Sequence, residues 1–448
     1  MKTSRRQFVK LMGAAAAGVA AAPFIGGVRR AHAARGSAVA CIRFFLRGGS
    51  RTSAMWDCNH IDKYSPYGTK YTAPPAGVDP GFFISALWPD SMVEALPDIS
   101  VVRTVFHGDG VGTNHGACRQ RMLTGGTNNS LPGWQAVANR ELFAPLPAVL
   151  IGDADDFAEQ VGSLGPAFSS IEIPNASSVD DIQTQFLAGL PSEQETRRIA
   201  NLRDSLSSGA IKRTSFEAIR DLPFQQAFTK DIIDEITTGE QFDVTQSGDG
   251  ATVGRRISDN SQISNGQLRA IFGVDAGGDG NRYGAGAMLA TRLVQSGLRA
   301  VTIGRGGWDT HGGETNFLTN TLPELGQAIA GLVLTLKDME SISGARANAL
   351  EDVLIIVDSE FSRDNTGASG FNGGGGSDHQ SDYARYMSVM FAGGGVAGGR
   401  VVGETDANFN PVNGNVYLSQ RVNATIYDLL GVSSTKYLDE PPIEELYT

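Results

Sequence analysis

Three short clusters of acid and imidazole side chains mark the last third of the chain. They read Trp308-Asp309-Thr310-His311, Asp358-Ser359-Glu360-Phe361 and Ser377-Asp378-His379. Carboxylate and imidazole together are the ligand mix for a divalent metal such as zinc, manganese or iron. The chain has six histidines, and two of them fall in these clusters. A metal-dependent hydrolase-type site is therefore the leading reading, with solvated loop polarity as the competing one. A further run, Gly112-Thr113-Asn114-His115, opens a helix-like stretch that ends at Met122-Leu123-Thr124-Gly125-Gly126. Thr113 there would either meet backbone N–H donors suited to phosphate or serve only as a helix cap. His60 and His107 stand alone and read as structural.

These clusters need a scaffold, and the hydrophobic pattern supplies one. Apolar runs at Ala38–Leu46, Ile99–Val105, Ala148–Ile151, Ala300–Ile303, Val353–Val357 and Met387–Phe391 read as strands. Helical patterns lie at about Pro89–Leu96, Tyr283–Ser296, Pro323–Leu336 and Val422–Leu430. Near-continuous apolar strands separated by helices predict an α/β fold, with a mostly parallel sheet covered on both faces. Ligands in such folds bind beyond the carboxyl ends of the strands. Arg51, His107, Asp309 and Glu360 each follow a strand closely. Residues 163–282 read differently, as a helical cap or insertion with helical stretches near Val179–Ser207 and Phe216–Ile236. Gly367–Gly376 reads as a linker or a loop over the site. The Gly/Asp-rich run from Gly273 to Gly280 lacks a Gly-Lys-Ser/Thr end and is no phosphate-binding P-loop.

The amino-terminus predicts export. Ser4-Arg5-Arg6-Gln7-Phe8-Val9-Lys10 is a twin-arginine pattern, followed by a weakly apolar Ala/Gly-rich run and the small-residue site Ala31-His32-Ala33. Residues 1–33 are thus a signal peptide, read by the twin-arginine translocase, and the mature chain is expected in the periplasm or outside the cell. No later stretch is apolar and long enough for a stable membrane anchor. Removing the leader takes away six cations and no acid, so the formal charge falls from −11 to −17. That balance disfavours nucleic acid and anionic membranes as partners. Cys41, Cys58 and Cys118 allow one disulfide at most; Cys41 reads as a buried small apolar residue, and Cys58 with Cys118 is the open pairing.

The chain from about Ala38 to Leu430 resembles the exported family labelled domain of unknown function 1501, within the alkaline phosphatase and sulfatase superfamily. The resemblance rests on Leu46-Arg47-Gly48-Gly49, Trp308-Asp309-Thr310-His311-Gly312-Gly313, Ser359-Glu360-Phe361-Ser362-Arg363, Gly376-Ser377-Asp378-His379, the Gly393–Gly399 run and Gly403-Glu404-Thr405-Asp406. It implies one α/β domain over residues 38–440, with metal over the sheet and a Ser, Thr or modified Cys nucleophile. Asp309, His311 and His379 match one metal site, with Asp378 beside it; Glu360 resembles the acidic ligand of a second. Phe361 stands where many relatives have a histidine. The first strand departs from the family's Gly-Gly-Asn-Asp: it reads Gly48-Gly49-Ser50-Arg51, and a guanidinium cannot coordinate a cation. One divalent ion, zinc or manganese, is therefore expected rather than two. Arg51 is assigned to an anionic substrate group or to Glu360. Thr113 is the nucleophile the resemblance implies, with His115 beside it, and metal-bound water is the alternative. A formylglycine sulfatase needs Cys-x-Pro-x-Arg; the segments after Cys58 and Cys118 lack the proline. The implied activity is hydrolysis of a phosphate or sulfate ester on a small anionic or glycan-type substrate. The other reading is a non-catalytic envelope or surface binding protein with a partly degenerate site.

Overall fold

The computed structural model describes residues 35–60, 67–126, 130–142, 148–153, 160–164, 168–176, 240–364, 379 and 384–447. Its centre is a nine-stranded sheet. In chain order the strands are β1 (Ala40–Leu46), β2 (Ile99–Phe106), β3 (Val149–Gly152), β4 (Ile171–Ile173), β5 (Thr252–Arg255), β6 (Gln262–Ser264), β7 (Ala300–Arg305), β8 (Val353–Ser359), β9 (Met387–Ala392), β10 (Arg400–Val402) and β11 (Tyr417–Leu418). The sheet order is β10-β2-β9-β8-β1-β7-β3-β4, with β11 added beside β2, while β5 and β6 form a separate hairpin. All six strands expected from the apolar runs are present. Every neighbouring pair in the sheet is parallel except the two made by β9, which runs antiparallel to both β2 and β8.

β1 lies between β7 and β8 and is wholly buried. Its alternating side chains feed two cores. Ile42, Phe44 and Leu46 join the larger apolar cluster, and Cys41 and Phe45 join the one on the opposite face. This is the two-sided burial that a near-continuous apolar run implies. Arg43 interrupts that run because it has a partner: its guanidinium bonds the Asp358 carboxylate on β8 at 2.6 Å, with both residues essentially inaccessible. Asp358, which the sequence groups with Glu360, is therefore a core ion-pair partner. Burial pushes its carboxyl upward against the opposing pull of Arg43.

Among the described residues, the helices of six residues or more are α1 (Asp90–Ala95), α2 (His115–Thr124), α3 (Trp134–Glu141), α4 (Asn265–Phe272), α5 (Arg282–Gln295), α6 (Glu314–Lys337) and α7 (Ser419–Leu429), and a single helical turn, Ala349–Asp352, leads into β8. α6 starts nine residues earlier than the sequence suggests. Pro323 sits inside it, where proline costs one backbone hydrogen bond. Extensive burial of the following turns, Leu325 to Leu336, offsets that loss.

The segment expected to be a helical insertion is mixed where described. Residues 171–173 form β4, paired to β3 at the sheet edge, and the β5–β6 hairpin and capped helix α4 follow. The helical stretches expected around 179–207 and 216–236, and the glycine run 367–376, lie outside the described residues. The three cysteines are all free and buried, so the open pairing of Cys58 with Cys118 is not made.

Candidate metal centre

The sheet topology brings the site together. Trp308-Asp309-Thr310-His311 follows β7, Glu360 follows β8, and His115 opens α2 after β2. His379 precedes β9. Because β9 runs antiparallel, its amino-terminal end meets the carboxyl ends of the others. Chain segments far apart in sequence therefore converge on one edge of the sheet.

Two glycines permit the approach. A Cβ at Gly48 would lie 2.0 Å from the Asp309 nitrogen, and one at Gly49 would lie 2.5 Å from the Phe361 ring. Their φ values of +120° and +95° also favour glycine. The Asp309 loop is held from behind by Trp308. Its backbone N–H donates to the Arg47 carbonyl at 3.1 Å, and its buried indole N–H donates to the Tyr283 hydroxyl at 3.0 Å.

His115, Asp309, His311 and His379 each present one donor atom, and all four atoms lie within 4.8 Å of one another. The Asp309 Oδ1 is 3.0 Å from His311 Nε2 and 3.5 Å from His115 Nε2. For bonds of ~2.1 Å, tetrahedral ligand atoms sit about 3.4 Å apart. The short pair distances match donors that share one ion. Asp309 and His311 are 46% and 56% exposed along their side chains.

Two of the imidazoles are oriented from behind. His115 Nδ1 lies 2.7 Å from the Glu360 carboxylate, and His379 Nδ1 lies 3.0 Å from the Thr113 carbonyl. With the proton on Nδ1, each ring turns its Nε2 lone pair away from that partner. A carboxylate or carbonyl behind the ring is the usual support of a metal-ligating histidine. Phe361 lies under these rings, stacked on His379 at 4.8 Å and tilted against His115 at 4.9 Å. Burial, then the nearby Arg363 guanidinium and the other two imidazoles, pull the His379 pKa below its ordinary value. The ring is thereby held neutral, the form that binds metal.

The remaining residues singled out in the sequence sort differently. Glu360 is buried and stands behind His115, not among the converging donors. Arg51 does not reach Glu360: it is buried, with its guanidinium 2.6 Å from the Glu314 carboxylate and also donating to the Asp364 carbonyl. Glu314 wins because it opens α6 directly against that side chain. Thr113 is not the helix cap, since Asn114 Oδ1 accepts from the Ala117 N–H at 3.1 Å. Asp378 lies outside the described residues. His107 is buried between the Ser419 hydroxyl and the Glu360 carbonyl, and burial pulls its pKa down to about 4. His60 bonds the Thr405 carbonyl at 3.1 Å and rests edge-on against Phe409.

Sequence reasoning missed three basic or acidic partners. Arg363, fully buried, donates to Asp309 Oδ1 at 2.9 Å and to the Gly48 carbonyl at 3.1 Å. Arg119 approaches Glu360 at 3.4 Å. Glu314 holds Arg51. Only Arg119 left a local signal, because it lies four residues after His115 and so shares its helix face. A cleft of about 270 Å³ opens beside the cluster, lined by Arg47, Gly48, His115, Arg119, Gly306, Gly307, Asp309 and Glu360.

Solved structures with a loosely similar chain path include Ps i-CgsB in complex with k-i-k-neocarrahexaose: 10% identity, TM-score 0.38, 90% of this chain and 75% of that one. Another is the 4S-sulf protein from a Bacteroides thetaiotaomicron core genetic locus for metabolism of multiple glycosaminoglycans: 9% identity, TM-score 0.38, 89% and 74%. A third is the soluble domain of lipooligosaccharide phosphoethanolamine transferase A from Neisseria meningitidis: 8% identity, TM-score 0.33, 90% of each chain. No curated protein matches the sequence. The sequence itself matches one family over residues 38–441, nearly the whole described body, and the chain therefore belongs to the family described as "Protein of unknown function (DUF1501)".

Proposed function

We propose that this protein is an exported, metal-dependent hydrolase of phosphate or sulfate esters, holding one divalent ion, zinc or manganese, with His115, Asp309, His311 and His379. The observation that carries the reading is the support behind the donors. Four ligand atoms within 4.8 Å of one another are suggestive; two of them backed by Glu360 and the Thr113 carbonyl form an arrangement that solvated loops have no reason to build. Compared with the sequence reading, His115 moves from a catalytic role to a ligand, and Glu360 from a ligand to the group that orients His115.

An ion so held would polarise an ester's oxygens and bring the pKa of a coordinated water toward neutrality. The chain's own residues do the rest. Glu360 accepts the His115 Nδ1 proton and keeps that ring turned. Arg363 holds Asp309 Oδ1. Phe361 excludes water beneath the rings. Arg47 and Arg119 line the cleft where the anionic head group would sit. Among the described residues, no Ser, Thr or Cys lines this cleft. That favours water over Thr113 as the nucleophile, since Thr113 meets the cluster through its backbone carbonyl.

The Arg5-Arg6 leader supports twin-arginine export to the periplasm or beyond. Among the described residues, no helix is long and apolar enough to cross a membrane.

The test is metal analysis of the purified mature protein, together with hydrolysis of aryl phosphate monoesters, diesters and sulfates. One tightly held ion is expected, lost in Asp309→Ala and His379→Ala along with activity, while Thr113→Ala keeps activity within severalfold. A protein that binds no divalent ion would refute the reading. Metal-loaded protein inactive on the whole panel, with saturable binding of a glycan, would establish the binding-protein alternative instead.

A further inference from the structure

Thr310 stands in the chain between two of the four candidate donors. Its side chain is buried, whereas those of Asp309 and His311 are half-exposed. The Thr310 hydroxyl donates to Glu314 Oε1 at 3.2 Å. The other oxygen of that carboxylate, Oε2, accepts from Arg51, at 3.0 Å from Nε and 2.6 Å from Nη2. Glu314 and Arg51 are themselves buried. Glu314 is thus divided, one oxygen to the loop and one to the guanidinium.

Arg51 extends the connection. It lies shortly after β1, and its Nη1 donates to the Asp364 carbonyl, shortly after β8. The continuations of these two strands run side by side there: the Ser50 N–H donates to the Phe361 carbonyl at 3.2 Å, and the Arg363 N–H to the Ser50 carbonyl at 3.3 Å. One guanidinium therefore joins the segments that follow β1 and β8 and, through Glu314 and Thr310, the segment that follows β7. The first two carry Gly48, Glu360, Phe361 and Arg363; the third carries Asp309 and His311.

The third segment is the one that needs holding. Its main chain turns tightly, with the Thr310 N–H donating to the Trp308 carbonyl at 2.9 Å and the His311 N–H to the Asp309 carbonyl at 3.1 Å, each two residues back. Gly312 and Gly313 follow, residues of wide conformational freedom, Gly313 at φ +67°. A buried network whose donors and acceptors are matched restricts such a loop to one arrangement.

We propose that Arg51, Glu314 and Thr310 are positioning residues that act as one buried relay, fixing the Asp309–His311 loop in the arrangement that an ion requires. The inference rests on the metal-hydrolase reading for what the loop holds, while the hold itself is measurable without metal. Donors already in place bind an ion with a smaller ordering cost, and apparent affinity falls with the fraction of molecules whose loop is competent. Arg51 thereby serves the centre without touching it.

Thr310→Val keeps the shape of the side chain and removes the hydroxyl; Thr310→Ser keeps the hydroxyl. Three measurements on the full mature protein separate them: hydrogen exchange of peptides covering 308–313 in the metal-free state, zinc affinity by chelator competition, and the visible spectrum of the cobalt-loaded protein. Thr310→Val should exchange about fivefold faster over this loop, bind zinc roughly five- to tenfold more weakly and alter the cobalt spectrum, while Thr310→Ser stays near the parent in all three. Arg51→Lys keeps the charge but loses the planar fork that meets Glu314, and should loosen the same loop. Parent-like exchange and affinity in Thr310→Val would overturn the relay and leave the metal centre standing. Equal impairment of the valine and serine variants would overturn the assignment to the hydroxyl, and an unchanged loop in Arg51→Lys would remove Arg51 from the relay. A parent that binds no ion, with exchange still faster in Thr310→Val, would support the relay and refute the metal reading.

Discussion

Removing the Glu360 carboxylate separates two roles that the same residue could fill. The acid is buried, with one oxygen 2.7 Å from His115 Nδ1 and the other 3.4 Å from Arg119 Nε. Its backbone carbonyl also accepts from His107, and that contact survives any side-chain change. Glu360→Ala therefore frees the His115 ring while leaving the main chain tied. Loss of such a supporting group typically costs 10–100-fold in metal affinity, or roughly 1.4–2.7 kcal/mol. The upper half of that range is expected here, because the 2.7 Å bond has the length of a charge-assisted one. Glu360→Gln keeps an acceptor for the Nδ1 proton and should stay within about threefold of the parent, since the hydrogen bond itself is kept. His379→Ala removes a donor atom and should lose at least tenfold more than Glu360→Ala. Competition against a chromogenic zinc chelator, with stoichiometry from elemental analysis, measures all three. Parent-like affinity in Glu360→Ala would show that the carboxylate does not position His115. Complete loss of metal in both Glu360 variants, matching His379→Ala, would show that Glu360 is itself a ligand.

Three further outcomes follow from other parts of the structure. Glu314→Ala removes the carboxylate paired with the buried Arg51 guanidinium and should destabilise the fold by about 3–5 kcal/mol in urea titration; a loss under 1 kcal/mol would mean that the other partners of Arg51, the Asp364 carbonyl among them, satisfy it. Burial holds the His107 pKa at about 4, below the ordinary 6.5, so the folded chain keeps this ring neutral where the unfolded chain protonates it. Stability from this group is therefore intact above pH 6.5 and declines as pH falls, by roughly 3 kcal/mol in all, levelling off below about pH 4. His107→Gln should flatten that part of the stability profile, and an unchanged slope would be the contrary result. Replacing both Arg5 and Arg6 by lysine should leave the precursor in the cytoplasm; unaffected export would contradict the twin-arginine reading.

The scaffold was legible where burial imposes a pattern. Six strands read directly from apolar runs, because a strand covered on both faces tolerates few polar residues. Strands β4, β10 and β11, of two or three residues each, were not legible; so short a run has no period to detect. The start of α6 was misread because Pro323 looks like a first-turn proline, while Gly313 and the buried turns around Leu318 and Leu322 carry the helix past it. At the site, Asp309, His311 and His379 stood out by residue type and by their nearness to strands. That His115 joins them depends on where α2 begins relative to β2, and that His379 does depends on the direction of β9. Neither is a local property of the sequence.

Arg51 shows most clearly why composition at a site falls short of its wiring. Read in sequence, it replaces a carboxylate and so subtracts a metal ligand; that much is simple charge logic. The guanidinium does not then turn to the substrate. It is enclosed, with Glu314 reaching it from the first turn of α6, 263 positions away. A second pair, Arg363 with Asp309, stands beside it, and the two guanidinium groups feel one another. This wall is therefore balanced by the chain's own cations. Among the described residues, a second divalent ion there would meet two fixed positive charges and the engaged carboxylates of Glu314 and Asp309, an arrangement that costs far more than one ion on neutral imidazoles and a half-exposed Asp309. The expectation of a single ion consequently rests on two ion pairs, one of them fully buried, rather than on one missing aspartate. Its reach extends to Arg363: that residue restrains the one carboxylate in the donor set, so its positive charge and an ion would share Asp309 Oδ1.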